Sequence, residues 1–345
     1  MTDGISQDGG SVGALISNYS VMMPEYVENS AWLEHGPFAL WLIDALRPKR
    51  FVELGTHGGF SYFAFCQAVQ LSGSGTACYA VDTWEGDEHA GKYDDSVYQS
   101  VARYNTKYSA FSTLMKMRFD HALQYFEDGS IDLLHIDGRH FYDDVKEDFF
   151  QWLPKLSADA IVLFHDTNVR ERDFGVWKFF EELSSEYPTF SFLHGHGLGI
   201  LALDRSKIPL CLATLFACSG ESLILVRDIY SKLGARISAE FQNKRQLQAL
   251  NSEVWGLKAM VGELQQSADS QVIRISELEL LLAEKESELA RVQEAEARAR
   301  ADLRQQQEMQ QEIQQELRQL QSTLSWKITR PLRRIRSLLR SRVNV

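Results

Sequence analysis

The sequence predicts an α/β domain with a mostly parallel sheet and helices on both faces, followed by a long α-helical coiled coil. Up to about residue 205, nearly all-apolar segments of strand length alternate with segments of helical periodicity. This pattern is typical of a parallel sheet that is buried on both faces. From about residue 241, a heptad pattern of apolar residues replaces the alternation. A hydrophobic content of 44% and a charged content of 24% agree with a soluble globular chain.

The first half of the α/β domain contains two predicted strands. The segment "SAWLEHGPFALWLIDAL" has helical periodicity and precedes the apolar run "RFVELGT", which ends after a glycine. The segment "SYFAFCQAVQLS" is helical again, and "ACYAVDTW" is strand-like. The order is therefore helix, strand, helix, strand, which is the beginning of a parallel sheet.

The second half contains two further strands and a closing hairpin. The strand-like segments "SIDLLHIDG" and "AIVLFHDT" flank the helical segment "FYDDVKEDFFQWLPKL". The segment "SFLHGHGLGILALD" predicts a hairpin with glycines at its turn. Two further segments, "LCLATLFA" and "SLILVRDIYSKLGARI", predict helices that pack on the sheet domain.

Residues 241–325 are predicted to form the coiled coil. Between Leu250 and Leu324 the seam positions step alternately by four and three residues, and 17 of these 22 positions are apolar. The register is unbroken and contains no proline, which predicts one rod about 110 Å long at ~1.5 Å per residue. Because an apolar seam must be buried on a partner, we expect self-association. The mixture of aliphatic and polar seam residues leaves dimer and trimer open.

The N-terminus and the cysteines predict a cytoplasmic location. Residues 1–20 lack the basic region of a secretory signal and are expected to be a flexible lead-in. No stretch reaches the roughly 18 apolar residues of a membrane-spanning helix. The four cysteines show no CxxC spacing, which is typical of buried thiols in a reducing compartment. The predicted parts of the chain are the N-terminus at 1–20, the α/β domain at 21–205, a helical extension at 206–240, the coiled coil at 241–325 and a basic tail at 326–345.

The C-terminal tail has a charge opposite to that of the body. Seven basic residues and no acidic ones follow Trp326, so the net charge of −11 leaves about −18 for the rest. Leu332, Ile335 and Leu339 fall on one face of a predicted helix that begins near Pro331. A basic amphipathic helix fits an anionic membrane surface, where each basic residue contributes about 1 kcal/mol. Nucleic acid is not an expected partner, because it would leave the aliphatic face unused and the body is acidic.

Polar residues follow each predicted strand, at the edge where ligands bind in open parallel sheets. The first strand ends in "VELGTHGGFS", in which glycines let the backbone approach a ligand and the next helix offers free N–H groups. The spacing is not GxGxxG and no GK[ST] follows, so neither a dinucleotide loop nor a phosphate loop of that type is indicated. His57 is either a ligand contact or an ordinary loop residue.

The second strand ends in Asp82, which is followed by Thr83 and Trp84. A carboxylate at this position is placed to accept hydrogen bonds from two ribose hydroxyl groups. The indole of Trp84 is placed to stack on a purine.

The third and fourth predicted strands end in Asp137 and in the pair His165–Asp166, and His140 lies three residues after Asp137. Asp137–Gly138 alone would suit a strand-ending turn, but the neighbouring histidines and Asp166 favour a functional site. The acidic residues Asp143, Asp144, Glu147 and Asp148 are expected on the solvated first turns of a helix. His194 and His196 serve the hairpin or line an acceptor pocket.

Four of these segments together resemble class I S-adenosylmethionine-dependent methyltransferases: "FVELGTHGGFSYFAF", "YAVDTWEGD", "IDLLHIDGRHFYDDVKEDFFQWLPKL" and "IVLFHDT". The most similar group is the metal-dependent sugar O-methyltransferases of the macrocin and mycinamicin type, with their cephalosporin-hydroxylase-like relatives. The resemblance covers roughly residues 25–205 and implies a Rossmann-like domain. The tail resembles the "SWRxTxPLR" stretch of bacterial surface-polysaccharide enzymes, and the whole layout resembles O-antigen chain-terminating methyltransferases.

The resemblance implies a role for each strand-end residue. Glu53, Gly55, Thr56, His57, Gly58 and Gly59 would hold S-adenosylmethionine, with Asp82, Thr83 and Trp84 at its nucleoside. Asp137 and Asp166 would bind a divalent metal, with Mg²⁺ expected, and His140 would be the general base. His165 stands where the family often has a carboxylate, which makes the donor set softer than an all-oxygen Mg²⁺ site.

These roles imply an O-methyltransferase that acts on a sugar hydroxyl of a bacterial surface polysaccharide or lipid-linked glycan. A metal ion would lower the pKa of the hydroxyl, and a histidine would accept its proton. The expected partners are a glycan acceptor, further copies of the chain and the inner face of the plasma membrane. Two alternatives are a small-molecule O-methyltransferase of the antibiotic type and a non-catalytic scaffold or chain-length ruler with a cofactor-binding head.

Overall fold

A computed structural model describes residues 12–87, 91–266 and 272–322. The chain divides into two compact units, Met1–Phe241 and Gln242–Val345. The first unit contains the predicted Rossmann-like α/β fold, and the second contains long helices.

A seven-stranded sheet forms the centre of the first unit, with the strand order β3-β2-β1-β4-β5-β7-β6. Strands β1 to β5 run parallel, whereas β7 runs antiparallel to both β5 and β6. The predicted closing hairpin is therefore confirmed, and β3 is a strand that the sequence pattern did not reveal. The strands are β1 Arg50–Leu54, β2 Ala77–Asp82, β3 Ser112–Lys116, β4 Ile131–Ile136, β5 Leu156–His165, β6 Thr189–Phe192 and β7 Leu198–Ala202.

Helices cover both faces of the sheet, because both faces are apolar. Ile161 and Val162 are consecutive buried residues of β5 that belong to separate hydrophobic clusters, as alternate strand residues point to opposite faces. A small antiparallel ribbon, Gly86–Asp87 with Gly91–Lys92, follows β2. The helices are α1 Gly36–Leu46, α2 Phe60–Ser72, α3 Asp95–Asn105, α4 Phe119–Ala122, α5 Tyr142–Trp152, α6 Val176–Leu183 and α7 Leu210–Ala217, followed by α8 Gly220–Gln266 and α9 Val272–Ser322.

The strand register brings the carboxyl ends of β1, β2, β4 and β5 together. Leu54 at the end of β1 lies beside Val81 of β2 on one side and Ile136 of β4 on the other, and Ile136 lies beside Phe164 of β5. The chain goes from β1 to β2 and β3 on one side of β1 and then returns to β4 on the other side, so the strand order reverses at β1. A crevice opens between β1 and β4 at this point of the edge. The residues that follow these strands therefore meet there.

Part of the N-terminal segment is packed, contrary to the expectation of a flexible lead-in. Leu15 and Ser20 are fully buried, and the Tyr230 hydroxyl donates a hydrogen bond to the Leu15 carbonyl oxygen at 2.6 Å. Residues 1–11 lie outside the described part of the chain.

The second unit contains two helical segments that lie side by side. Lys258 Nζ of α8 is 3.1 Å from a carboxylate oxygen of Glu286 in α9, and Lys285 Nζ is 3.6 Å from Glu253. A single straight helix would separate residues 258 and 286 by about 42 Å, so the prediction of one continuous rod is wrong. Several predicted seam residues of α8 are buried: Leu250, Val254 and Val261.

No helix in the described ranges is by itself long and apolar enough to cross a membrane. One pair bent by 111°, Leu210–Ala217 with Gly220–Val261, meets the length and composition requirement only when its two members are taken together. The predicted basic tail falls within residues 323–345, outside the described part of the chain.

The pairing of α8 with α9 predicts the products of carbodiimide crosslinking, which joins lysines to carboxylates in contact. All four side chains are at least a quarter exposed, so we expect links from Lys258 to Glu286 and from Lys285 to Glu253, identified by mass spectrometry of the digested protein. Mixing isotope-labelled and unlabelled protein separates links within a chain from links between chains. Finding only mixed-isotope links, or none, would contradict the side-by-side arrangement within one chain.

Candidate functional site

A cavity of about 860 Å³ opens at the carboxyl edge of the sheet, in the first unit. Its walls come from the segments that follow β1, β2, β3, β4 and β5, and from the loop between β6 and β7. Ligand cavities commonly have volumes of roughly 300–1,000 Å³, so this one can hold a nucleoside-sized ligand together with a second molecule. Most of the predicted site residues line it: Gly55, Thr56, His57, Gly58, Gly59, Asp82, Thr83, Asp137, His140, His165 and Asp166.

The glycines of the β1–α2 loop differ in what a side chain at each position would meet. Gly55 has φ +87°, and a Cβ there would lie 2.1 Å from the Asp137 carbonyl oxygen, because the loops after β1 and β4 touch at this point. Gly59 also has a positive φ and begins α2. At Gly58, by contrast, a Cβ would meet no atom within 4 Å. The loop therefore presents open backbone at Gly58 to the cavity, beside the side chains of Thr56 and His57.

Asp82 holds this loop in place. One carboxylate oxygen accepts hydrogen bonds from the backbone N–H groups of Thr56 and His57, both at 2.8 Å, and the other accepts one from Trp84 N–H at 2.7 Å. A carboxylate has about four acceptor positions, so Asp82 has room for at least one further hydrogen bond. The prediction that it accepts hydrogen bonds from ribose hydroxyl groups stays a prediction.

Trp84 does not line the cavity, so the prediction that it stacks on a purine is wrong. Its side chain is 2% exposed, and its indole N–H donates to the His57 carbonyl oxygen at 2.9 Å. The indole thus stabilises the β1–α2 loop through this hydrogen bond. An aromatic pair that lines the cavity beside this loop is His57 with Tyr93, stacked at 4.6 Å between ring centroids. No sequence pattern pointed to Tyr93, which follows the small ribbon.

Glu53, which was predicted to contact the cofactor, lies in the protein interior instead. It is fully buried and does not line the cavity. Trp32 Nε1–H donates to His135 Nε2, so the proton of a neutral His135 lies on Nδ1 and is donated to Glu53 at 2.9 Å. Burial raises the pKa of Glu53. This interior network joins β1 to β4 below the site.

Asp137, His140 and Asp166 form a compact group at the other end of the cavity. One ligand atom from each lies within 4.8 Å of the others. His140 Nδ1 is 3.1 Å from an oxygen of Asp166, and the His140 ring stacks on Phe174 at 4.6 Å. A His–carboxylate pair of this kind places the Nδ1 proton on the carboxylate side and the lone pair on Nε2, the arrangement of a general base.

His165 lies behind this group and joins three segments. Its Nδ1 is 3.2 Å from Asp137 and 3.4 Å from Asp166, and its Nε2 is 3.1 Å from the Gly195 carbonyl oxygen. Because a carbonyl oxygen only accepts, Nε2 carries a proton. The Nδ1 position between two carboxylates then requires either a second proton or a cation.

The charges around His165 are mutually stabilising. Burial alone would lower the pKa of His165, but the charges of Asp166 and Asp137 outweigh burial and hold this pKa well above its usual value. Burial would likewise raise the pKa of both carboxyl groups, but the His165 charge lowers it. All three groups are thus ionised together when His165 carries both protons.

The β6–β7 loop contributes a histidine to the cavity, in agreement with the predicted alternative that His194 or His196 lines a pocket. His196 lines the cavity, and its Nδ1 lies 3.2 Å from Asp166. His194 is not among the lining residues; burial lowers its pKa to about 4. His35, at the start of α1, places its Nε2 2.9 Å from the same Gly195 carbonyl oxygen that His165 contacts. The sequence offered no indication that His35 would support this loop.

The acidic residues at the start of α5 are not simply solvated. Asp144, Glu147 and Asp148 line the cavity, which corrects the expectation of a plain solvent-facing turn. Burial, followed by the charges of Asp144, Glu147 and Asp120, raises the pKa of Asp148 to about 7. The part of the cavity wall that α5 forms is therefore acidic, and its charge changes near neutral pH.

The donor atoms fit a divalent cation and an elongated ligand. The oxygens of Asp137 and Asp166 and the nitrogens of His140 and His165 are the ligand types that such ions accept. In the glycine loop, the buried Thr56 hydroxyl has no hydrogen-bond partner among the described residues. An unpartnered buried hydroxyl beside open backbone is suited to a polar ligand.

Residues 52–167 match a family model described as "Methyltransferase domain". The matched residues run from β1 to the end of β5, so they include the strand ends that line the cavity. Over 185 residues, the chain is 55% identical to an uncharacterized protein, y4gI, of Sinorhizobium fredii (strain NBRC 101917 / NGR234). That alignment covers 53% of this chain and 20% of the relative, so the chain spans about a fifth of the relative's length.

Similar solved structures include three described as methyltransferases. A methyltransferase from Geobacter sulfurreducens is 17% identical, with a TM-score of 0.39 over 52% of this chain and 81% of that chain. The SAH-bound methyltransferase PaMTH1 of Podospora anserina is 16% identical, with a TM-score of 0.38 over 48% and 76%. The O-methyltransferase TomG of Streptomyces achromogenes, in complex with SAM, is 15% identical, with a TM-score of 0.37 over 52% and 82%.

The contact between the loops after β1 and β4 predicts that alanine destabilises the protein at Gly55 but not at Gly58. Gly55→Ala places a Cβ against the Asp137 carbonyl and strains a positive φ, so we expect a loss of about 3 kcal/mol or more. This corresponds to a fall in Tm of roughly 6–12 °C. Gly58→Ala, the matched control, should keep the Tm within about 2 °C because its Cβ enters open space. Equal Tm values for the two variants would contradict the close approach.

The raised pKa of Asp148 predicts a pH-dependent gain in stability for Asp148→Asn. The pKa is about 7 in the folded chain and ~3.9 in an unfolded one, so the stability from protonated Asp148 is complete below about pH 4 and is lost as pH rises through 7. We therefore expect Asp148→Asn to be more stable than the unchanged protein at pH 8, by about 1 kcal/mol or more, with the difference vanishing toward pH 4. Asp143→Asn, on an exposed position of the same helix, should show no such difference. A constant gain at both pH values would refute the raised pKa.

Proposed function

We propose that the chain is an S-adenosylmethionine-dependent O-methyltransferase that acts on a sugar hydroxyl. The observation that carries this proposal is that one cavity joins a glycine-lined backbone loop to a carboxylate–histidine group. The match of residues 52–167 to a methyltransferase domain supports the class of reaction. The cofactor, when bound, supplies an activated methyl group, so the remaining requirements are alignment and removal of one proton.

The residues at the glycine end would hold the cofactor. The open backbone at Gly58 and the unpartnered Thr56 hydroxyl would contact its polar atoms. Asp82 would accept one ribose hydroxyl with its remaining acceptor position. The His57–Tyr93 ring pair offers an aromatic surface for the base, in place of Trp84.

The residues at the other end would bind and deprotonate the acceptor. His140 would take the hydroxyl proton at Nε2 while Asp166 holds its Nδ1–H. Asp137, Asp166 and His165 would hold a divalent metal, which lowers the pKa of a bound hydroxyl. The resemblance implied Mg²⁺, which suits the two carboxylates, whereas the imidazole of His165 suits a transition metal such as Zn²⁺ or Fe²⁺.

The proposed acceptor class and location rest on the parts of the chain outside the cavity. The basic tail supports a membrane-bound enzyme that modifies a surface polysaccharide or lipid-linked glycan. Self-association stays a prediction, because α8 and α9 pair within one chain. A small-molecule acceptor would give these parts no use. The alternative of a scaffold with a cofactor-binding head gives no role to a His140–Asp166 pair that lines the cavity, whereas proton transfer or metal binding does.

The test of this function is the His140→Ala variant. We expect turnover to fall by roughly 10²–10⁴-fold, the usual contribution of a general base, whereas the affinity for S-adenosylhomocysteine, measured by calorimetry, stays unchanged. His121→Ala, an exposed histidine outside the cavity, is the matched control and should retain both properties. Equal loss of turnover and cofactor affinity in His140→Ala would contradict the role of His140 as base, and no cofactor binding by the unchanged protein would contradict the function itself.

A further inference from the structure

A second cavity, of about 310 Å³, lies beside the first but shares none of its lining residues. It is formed by the segment after β5, helix α6, strand β6 and the first turns of α8. Thr167 and Asn168 line it and directly follow Asp166. Two residues span at most ~7 Å, so the second cavity begins within about the length of one sugar ring of the proposed catalytic group.

Two arginines dominate the chemistry of this second cavity. The Arg170 guanidinium lies 4.2 Å from the ring centroid of Trp177, and that of Arg227 lies 5.8 Å from the ring centroid of Phe190. Each aromatic ring orients the flat guanidinium against it. Two guanidinium groups that line one small cavity are suited to an anion with several oxygens.

Arg227 has more donors than its contacts use. Its Nε donates to the Ser191 carbonyl oxygen at 2.7 Å, and Nη2 donates to the Ser191 hydroxyl at 3.2 Å. A guanidinium carries five N–H groups, so tying α8 to the edge strand accounts for only part of its capacity. Burial lowers the pKa of Arg227, and among the described residues no carboxylate lies within 4 Å of either arginine to offset this cost.

The remaining polar groups of the second cavity are compatible with binding of a phosphorylated sugar. Glu181, on an exposed position of α6, also lines the cavity and can accept sugar hydroxyl groups. With two arginines and one glutamate the lining has a net charge of +1, which fits one phosphate group. The volume suits a phosphate with an adjoining sugar.

We propose that the second cavity binds the phosphate group of the methyl acceptor, so that the acceptor is a glycosyl phosphate. The proposal rests on the proposed methyltransferase function for the first cavity. A glycosyl phosphate comes either as a nucleotide-linked sugar or as a sugar on a polyprenyl phosphate lipid. In both, the guanidinium groups of Arg170 and Arg227 hold the phosphate while the sugar hydroxyl reaches His140.

The test uses the full-length protein saturated with S-adenosylhomocysteine, titrated in a calorimeter with glucose 1-phosphate and with glucose. We expect glucose 1-phosphate to bind and glucose to bind at least roughly tenfold more weakly. Arg170→Gln should weaken binding of glucose 1-phosphate by roughly 10- to 100-fold, and Arg227→Gln by a similar factor. Lys178→Gln, which removes a positive charge from α6 outside the cavity, should leave the affinity unchanged.

Two further titrations identify the source of the phosphate, one with UDP-glucose and one with phosphatidylcholine vesicles that carry undecaprenyl phosphate. Arg170-dependent binding of either ligand supports the proposal. Should Arg227→Gln fail to fold, Arg170→Gln and Arg227→Lys carry the test. Equal affinities for glucose and glucose 1-phosphate, or no effect of Arg170→Gln, would overturn it. Cofactor affinity is measured in a separate titration of the cofactor-free protein with S-adenosylhomocysteine, so failure of the phosphate site is distinguishable from failure of the methyltransferase function.

Discussion

The buried imidazole of His165 is the contact on which the site depends. Its Nδ1 approaches Asp137 at the end of β4 and Asp166 at the end of β5, and its Nε2 approaches the Gly195 carbonyl oxygen in the β6–β7 loop. Two carboxylates so close together would repel each other without a positive charge between them. Either a doubly protonated His165 or a metal ion satisfies this requirement, and both keep the three segments in contact.

A second carboxylate fixes the opposite end of the cavity by a different interaction. Asp82 accepts three backbone N–H groups and thereby holds the β1–α2 loop with its open face toward the ligand. The loop after β1 meets the loop after β4 where Gly55 lies against the Asp137 carbonyl. This close contact sets the position of the glycine loop relative to the carboxylate–histidine group.

The sequence predicted the strand ends well because an apolar run followed by Gly, Asp or His marks where a parallel strand stops. It did not show which side of the sheet each side chain faces, and for this reason Glu53 and Trp84 were assigned to the cofactor although one joins β1 to β4 and the other supports the loop. Contacts between residues distant in sequence, such as His35 with the Gly195 carbonyl, leave no local pattern. The heptad register likewise continues unchanged through residues 267–271, so it could not indicate that α8 and α9 lie side by side.

The central claim is that this cavity transfers a methyl group to a sugar hydroxyl with help from a divalent metal. The most direct measurement is incorporation of labelled methyl from S-adenosylmethionine into glycan extracted from the source organism, with and without chelator. We expect incorporation that the chelator abolishes and that an added divalent metal ion restores. Incorporation that persists after chelation would contradict the metal role, and cofactor binding without any incorporation would contradict the catalytic function and favour a scaffold.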